Sequence, residues 1–141
     1  MKYYIGIGSN MGDRQNYLLS ALNELTKIGV VEKKSAIYES EPFGYKNQQN
    51  FLNAVCAFNY KDSAPELLNQ LKNIEKKIGR IEVVRWGPRI IDLDIIDRDG
   101  EKVETQYLKI PHPEMSNRNF VLIPLADIEP CLLYTSDAAD E

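Results

Sequence analysis

No stretch of this 141-residue chain is long and apolar enough to span a membrane. Met1 to Asn10 has one Lys, two Gly and no extended apolar run, so it does not read as a signal peptide, and a cytoplasmic location is expected. Cysteine is scarce. Cys56 and Cys131 lack metal-ligand spacing and give no sign of a disulfide, and Cys56 sits in an apolar, strand-like run that suits a small core residue. The only histidine, His112, is held between Pro111 and Pro113 and by itself reads as a loop residue. Positive charge is not in excess. A net charge of −4 argues against a general nucleic-acid binder, so any anionic ligand must be held by local cations or metal. There is no G-x-x-x-x-G-K-[ST] phosphate loop. Gly6 and Gly8 suggest a dinucleotide fingerprint, but its third glycine position falls on Met11. No repeat or linker interrupts the chain, so a single domain over 1–130 is expected, followed by an atypical tail, 131–141.

What is present centres on residues 85–96, R-W-G-P-R-I-I-D-L-D-I-I. The β-branched run predicts a strand. In a strand, Asp92 and Asp94 share one face while Ile91, Leu93 and Ile95 fill the other. Two like charges side by side repel and raise each other's proton affinity. They call for a cation, and Mg²⁺ is the natural candidate because it takes carboxylate oxygens and shares its remaining sites with phosphates. Arg85 and Arg89 flank a segment stiffened by Pro88, and guanidinium groups suit phosphate oxygens. An isolated Asp-x-Asp is more often a solvated strand face. The attached Arg85, Pro88 and Arg89 favour a polyphosphate site.

The rest of the chain supplies a scaffold. Residues 3–8 predict a first strand. Asp13 then caps a helix whose stripe runs from Tyr17 to Ile28 and which Gly29 stops. Val30 to Tyr38 predicts a second strand, 39–49 a long loop, and Asn50 to Tyr60 a third strand. On that strand Phe51, Asn53, Val55 and Ala57 share a face. Phe51 beside Asn53 could stack on and hydrogen-bond a flat heterocycle, although a core Phe next to an Asn is the blander reading. Asp62 or Ser63 caps a second helix with a stripe from Leu67 to Ile78, ended by Gly79. Glu75 lies at the edge of that stripe; leaning towards the core it would need a partner, an Arg or a polar ligand, while a Glu snorkelling to the surface fits the spacing equally well. Asp99-Gly100 signals a hairpin leading to a short strand over 102–107, and Phe120 to Ile128 predicts a short helix containing Pro124. The expected fold class is α+β, a ferredoxin-like βαββαβ antiparallel sheet. Its helices pack on one face, with an extra C-terminal hairpin strand and short helix, and the other face is free to carry a site.

The motif at 85–96 resembles the signature of the 6-hydroxymethyl-7,8-dihydropterin pyrophosphokinase family. I-G-S-N (7–10), F-L-N-A (51–54), G-R (79–80) and I-P-H-P-E-M-S-N-R-N-F (110–120) follow in the family's order. The resemblance implies transfer of pyrophosphate from ATP to the hydroxymethyl group of the reduced pterin, with release of AMP, in folate biosynthesis. It implies two Mg²⁺ ions on Asp92 and Asp94, and catalytic roles for Arg80, Arg89, Asp92 and Asp94. ATP contacts fall on Glu75, Arg85, Trp86, Ile95, Lys109, His112 and Arg118, with Trp86 in a loop that closes over the substrates. The pterin pocket falls on Ser40, Phe43, Phe51, Asn53 and Phe120. ATP and the pterin are the expected partners of a monomer that binds neither nucleic acid nor membrane. Glu82, Val83 and Val84 stand where some members are more basic, and the resemblance ends after Pro130. A metal-dependent nucleotide-sugar transferase and a non-catalytic ligand-binding domain are the alternatives on the same residues.

Overall fold

The computed structural model describes residues 1–41, 47–80, 88–98, 103–104, 108–110 and 119–128, with the side chains of 103, 104, 109, 119 and 120 left aside. The chain runs β1 (Lys2–Ser9), α1 (Arg14–Thr26), β2 (Val30–Lys34), β3 (Tyr38–Ser40), β4 (Phe51–Asn59), α2 (Ala64–Ile78), β5 (Asp92–Arg98), β6 (Val103–Glu104), β7 (Lys109–Ile110) and α3 (Asn119–Ile128). The result is an α+β fold built on an open antiparallel sheet of five strands. Its order is β2-β4-β1-β5, and β3 pairs with β4 as well.

Both faces of the sheet are packed. Tyr3, Ile5 and Ile7 of β1, Cys56 and Phe58 of β4, and Leu93 and Ile95 of β5 meet Leu18, Ala21 and Leu25 of α1 and Leu67, Leu71 and Ile74 of α2 in the larger core. Tyr4, Val55, Ala57 and Ile96 point the other way and meet Val121, Leu125 and Ile128 of α3. The face expected to be free is therefore shared with a helix. The apolar run of α3 has to be buried, and the small Ala57 beside Val55 leaves room for a helix there.

The helix ends follow local chemistry. The Asp13 carboxylate accepts from the Asn16 amide, and the Ser63 hydroxyl accepts from the Glu66 amide, with Pro65 in the first turn of α2. Ser63, not Asp62, is thus the cap of α2. Gly79 ends α2 with φ +119°, a conformation that favours glycine. Gly29 acts for a different reason than expected. Its φ is not positive, but an added Cβ would stand 2.5 Å from the Phe58 ring and 2.6 Å from the Asn59 carbonyl oxygen. The glycine lets the chain turn hard against β4.

One strand departs from expectation. The run Val30 to Tyr38 is split into β2 and β3, both on the same edge of β4. At the break, the Ser35 amide donates to the Val55 carbonyl at 2.9 Å and the Ser35 hydroxyl accepts from the Val55 amide at 2.9 Å. A side-chain oxygen replaces the main-chain acceptor, and the ladder loses its regular pairing there. Asp127 of α3 fastens the same break, accepting from the Ala36 amide at 3.1 Å and the Tyr38 hydroxyl at 2.7 Å. Of the strand expected over 102–107, residues 103 and 104 are described; they form β6 and pair with β7, and the rest lies outside the described residues. Among the described residues no helix is long and apolar enough to cross a membrane.

Gly29→Ala is expected to destabilise the fold by about 1–3 kcal/mol in chemical denaturation, because a backbone carbonyl cannot yield to the new methyl. A stability within about 0.5 kcal/mol of the parent would show that Gly29 merely ends the helix.

Candidate active site

The site is built on β4, β1 and β5, the three adjacent strands of the sheet. In register, Asn53 pairs with Gly8 and Gly8 with Asp92, while Val55 pairs with Gly6 and Gly6 with Asp94. Alternation puts all of these, with Phe51, on the face opposite Leu93 and Ile95. The central strand therefore offers no side chain between the Phe51–Asn53 patch and the two carboxylates. A Cβ at Gly8 would stand 3.3 Å from Asn53 Oδ1 and 3.5 Å from Phe51 Cδ1, and one at Gly6 would stand 2.9 Å from Ile96 Cδ1. The missing Cβ atoms let Ile96 lie against Gly6 and let Asn53 and Phe51 lean over Gly8, so the central strand itself puts no side chain between the aromatic–amide patch and the acids. The Asn53 amide is fixed by donating to the Ser40 hydroxyl at 2.8 Å.

Beneath the acids lies a third carboxylate. Glu75 is only 2% exposed. Its Oε2 accepts from the Leu93 amide at 2.8 Å and from Arg80 Nη1 at 2.8 Å, and Lys72 lies 3.5 Å from Oε1. Burial pushes its proton affinity up, while the Leu93 amide, Lys72 and Arg80 pull it down. Arg80 also reaches Asp92 Oδ1 at 3.4 Å, and Arg89 reaches Asp92 Oδ2 at 3.4 Å. Both guanidinium groups converge on Asp92. Burial and then the Asp92 charge hold the Asp94 carboxyl well above the usual carboxylate range.

The donor set suits a hard divalent cation. Two adjacent carboxylates, one holding its proton too tightly, are groups that such an ion would relieve. Among the described residues no cluster of three or more His, Cys, Asp or Glu could hold a metal, and two carboxylates leave further positions of such an ion open to other oxygen donors.

The sequence-derived candidates separate cleanly. Arg80, Arg89, Asp92, Asp94 and Glu75 come together, and Ser40, Phe51 and Asn53 share the neighbouring strands. The Ile95 side chain lies in the core between the sheet and helices α1 and α2, so a ligand at the carboxylates could meet that residue only through its main chain. Phe43, Arg85, Trp86, His112 and Arg118 fall outside the described residues, as do the side chains of Lys109 and Phe120. Sequence reasoning quoted Asn10 within the I-G-S-N motif but gave it no role; it is 1% exposed and bonds to both Arg89 and residues 48–49. It also missed the part played by Gly6 and Gly8. The signal was there, since alternate glycines inside a buried strand weaken it unless something must approach the backbone.

A sheet that lines up an aromatic–amide patch, a glycine-bearing central strand, paired acids and two guanidinium groups has the chemistry to suit a nucleotide-dependent transferase. Residues 4–130 match the family described as 7,8-dihydro-6-hydroxymethylpterin-pyrophosphokinase (HPPK). The chain belongs to this family. It is 44% identical over 131 residues to the 2-amino-4-hydroxy-6-hydroxymethyldihydropteridine pyrophosphokinase of Aquifex aeolicus, covering 93% of this chain and 82% of that protein. It is 46% identical over 127 residues to the enzyme of the same name from Bacillus subtilis, covering 89% and 76%. It is also 40% identical over 131 residues to the folic acid synthesis protein FOL1 of Dictyostelium discoideum. That match takes in 93% of this chain but only 20% of the longer protein.

Glu75→Ala is expected to cost about 3–5 kcal/mol of folding stability in chemical denaturation, since it strands Arg80 and the Leu93 amide. Glu75→Gln keeps an acceptor for that amide and should cost clearly less. Equal stability of both variants and the parent would show that the buried carboxylate holds nothing in place.

Proposed function

We propose that this chain transfers pyrophosphate from ATP to the hydroxymethyl group of 6-hydroxymethyl-7,8-dihydropterin and releases AMP. The observation that carries this reading is the row Phe51–Asn53, Gly8–Gly6, Asp92–Asp94, with Arg80 and Arg89 at its acidic end. It offers a flat, partly polar surface for a heterocycle next to a charged end for a polyphosphate. Family membership points to the same pair of substrates.

In this reading Phe51 stacks on the pterin and Asn53, held by Ser40, hydrogen-bonds its edge. Arg80 and Arg89 donate to phosphate oxygens. Asp92 and Asp94 hold two Mg²⁺ ions. Bound there, the metal offsets the negative charge of the triphosphate. The hydroxymethyl oxygen attacks the β-phosphorus, forming a new O–P bond. The bond from that phosphorus to the bridging oxygen breaks, AMP leaves with that oxygen, and the hydroxyl proton passes to solvent. Positioning and charge neutralisation supply most of the rate in phosphoryl-type transfer, so no strong general base is required. By resemblance, Arg85, Lys109, His112 and Arg118 complete the ATP side, and Phe43 and Phe120 the pterin side. The sheet order with α1 and α2 as crossing helices is read as ferredoxin-like.

The test follows AMP release from ATP and the reduced hydroxymethylpterin, with and without Mg²⁺. Pterin-dependent and Mg²⁺-dependent AMP formation is expected. ADP as the product, or AMP formed equally well without pterin, would overturn the reading. Asp94→Ala is expected to lower kcat by about a thousandfold, the loss of several kcal/mol of charge stabilisation, with the far-UV circular dichroism unchanged. A folded variant at the parent rate would remove Asp94 from the metal site.

A further inference from the structure

The junction between β1 and α1 does more than connect two elements. Asn10 lies in it and is 1% exposed. Its amide N–H donates to the Arg89 carbonyl at 3.1 Å, and its Oδ1 accepts from the Arg89 amide at 2.7 Å. Main chain and side chain of one residue thus close a two-bond clasp on the backbone of Arg89. Arg89 follows Pro88 in a segment without regular structure, and so has no ladder to hold it. The other end of the Asn10 amide faces the opposite way. Its Nδ2 donates to Gln48 Oε1 at 2.8 Å and to the Gln49 carbonyl at 3.2 Å. An amide nitrogen carries two protons, and both are used. Residues 48 and 49 run directly into β4, which begins at Phe51. Arg14, one helical position beyond the junction, adds a bond to the Asn50 carbonyl at 2.8 Å.

We infer that Asn10 is a positioning residue for the transfer step, setting the phosphate-side Arg89 at a fixed offset from the pterin-side patch of Phe51 and Asn53. The inference rests on the proposed pyrophosphoryl transfer. A reaction between two bound substrates depends on the spacing of their subsites, and a misplacement of about 1 Å costs on the order of a hundredfold in rate. β1 cannot fix that spacing through side chains, because beside Asn53, Asp92 and Asp94 it offers only Gly6 and Gly8 on that face. The spacing falls instead to the residue just beyond its end. A buried amide whose donors go to one segment and whose acceptor goes to another can act as a ruler, because neither segment can shift without breaking a bond to it.

Asn10→Asp tests this with little change of shape. The variant keeps an acceptor for the Arg89 amide and loses both donors to residues 48 and 49. The parent protein is assayed first. If it forms no AMP from ATP and the reduced pterin, the activity reading fails and not the role of Asn10. With an active parent, kcat is measured well below the melting temperature of each variant, so that every molecule counted is folded. Asn10→Asp is expected to lower kcat at least tenfold. A merely structural residue would lower the melting temperature and leave kcat of the folded protein alone. Gln48→Leu removes one acceptor while Asn10 stays in place, and should also lower kcat. Gln48→Glu restores an acceptor and should recover most of it. If Asn10→Asp does not fold, the Gln48 pair decides by the same criterion. A smaller fall than tenfold in folded Asn10→Asp, or Gln48→Leu at the parent kcat, overturns the inference.

Discussion

Crowding of negative charge at one end of β5 is the constraint to which the surrounding structure answers. Asp92 and Asp94 share a face, and Glu75 lies buried behind them against the Leu93 amide. Three carboxylates in a partly dry region cannot all ionise without cations nearby. Arg80 answers twice, bonding to Glu75 and reaching Asp92, and Arg89 answers from the other side. The helix α2 is tied into this arrangement. Gly79 turns the chain at its end, so that the Arg80 amide returns to the Glu75 carbonyl while the Arg80 side chain meets the Glu75 carboxylate. What stays uncompensated is the proton held tightly on Asp94. That residual demand is what makes a divalent cation with a polyphosphate a fitting guest rather than an intruder.

In the proposed reading, the same sheet keeps the two substrate regions apart by leaving out side chains of its central strand. Gly6 and Gly8 weaken the intrinsic strand preference of β1. The strand survives because Tyr3, Ile5 and Ile7 are buried on its helix side and because it is hydrogen-bonded on both edges, by β4 and β5. Only a central strand with that support can carry two glycines. Stability on one face thus permits glycine backbone on the other, against which Ile96, Asn53 and Phe51 lie. The placement of α3 fits the same logic. It covers Tyr4, Val55, Ala57 and Ile96, where the sheet has apolar side chains to bury, and these sit further along the strands than Asn53 and Asp92.

Much of this was legible in the sequence, and the limits have physical causes. The alternation of Phe51 to Phe58 and the stripe of α2 reflect burial by one element against another, and such patterns are local. The shared face of Asp92 and Asp94 follows from the pleat alone. The place of Glu75 on its helix left two outcomes, a paired carboxylate or one snorkelling to solvent, and its burial against Arg80 decides for the first. The break between β2 and β3 was not legible, because it depends on Ser35 finding both polar groups of Val55, twenty residues away in sequence. Nor could the pattern say which face α3 would cover. An apolar helix announces that it will be buried but not against what. Gly29 was recognised as a boundary for the wrong reason, since the ring that forbids a side chain there comes from β4.

Asn10 shows where this kind of reading fails. It is one polar residue in the turn after an apolar strand, and turns favour asparagine for local reasons. The I-G-S-N motif that contains it supports the family resemblance but gives this residue no role. Its importance comes from three segments meeting, residues 10, 48–49 and 89, each distant from the others in sequence. Acids and arginines advertise themselves because burying charge is expensive and narrows the explanations. A neutral amide carries no such signal, yet it alone among the uncharged side chains offers two donors and an acceptor in one rigid plane. The residues that hold reactive groups can therefore be guessed from composition and spacing. The residue that holds two loops at a set distance becomes visible only when the loops are in place.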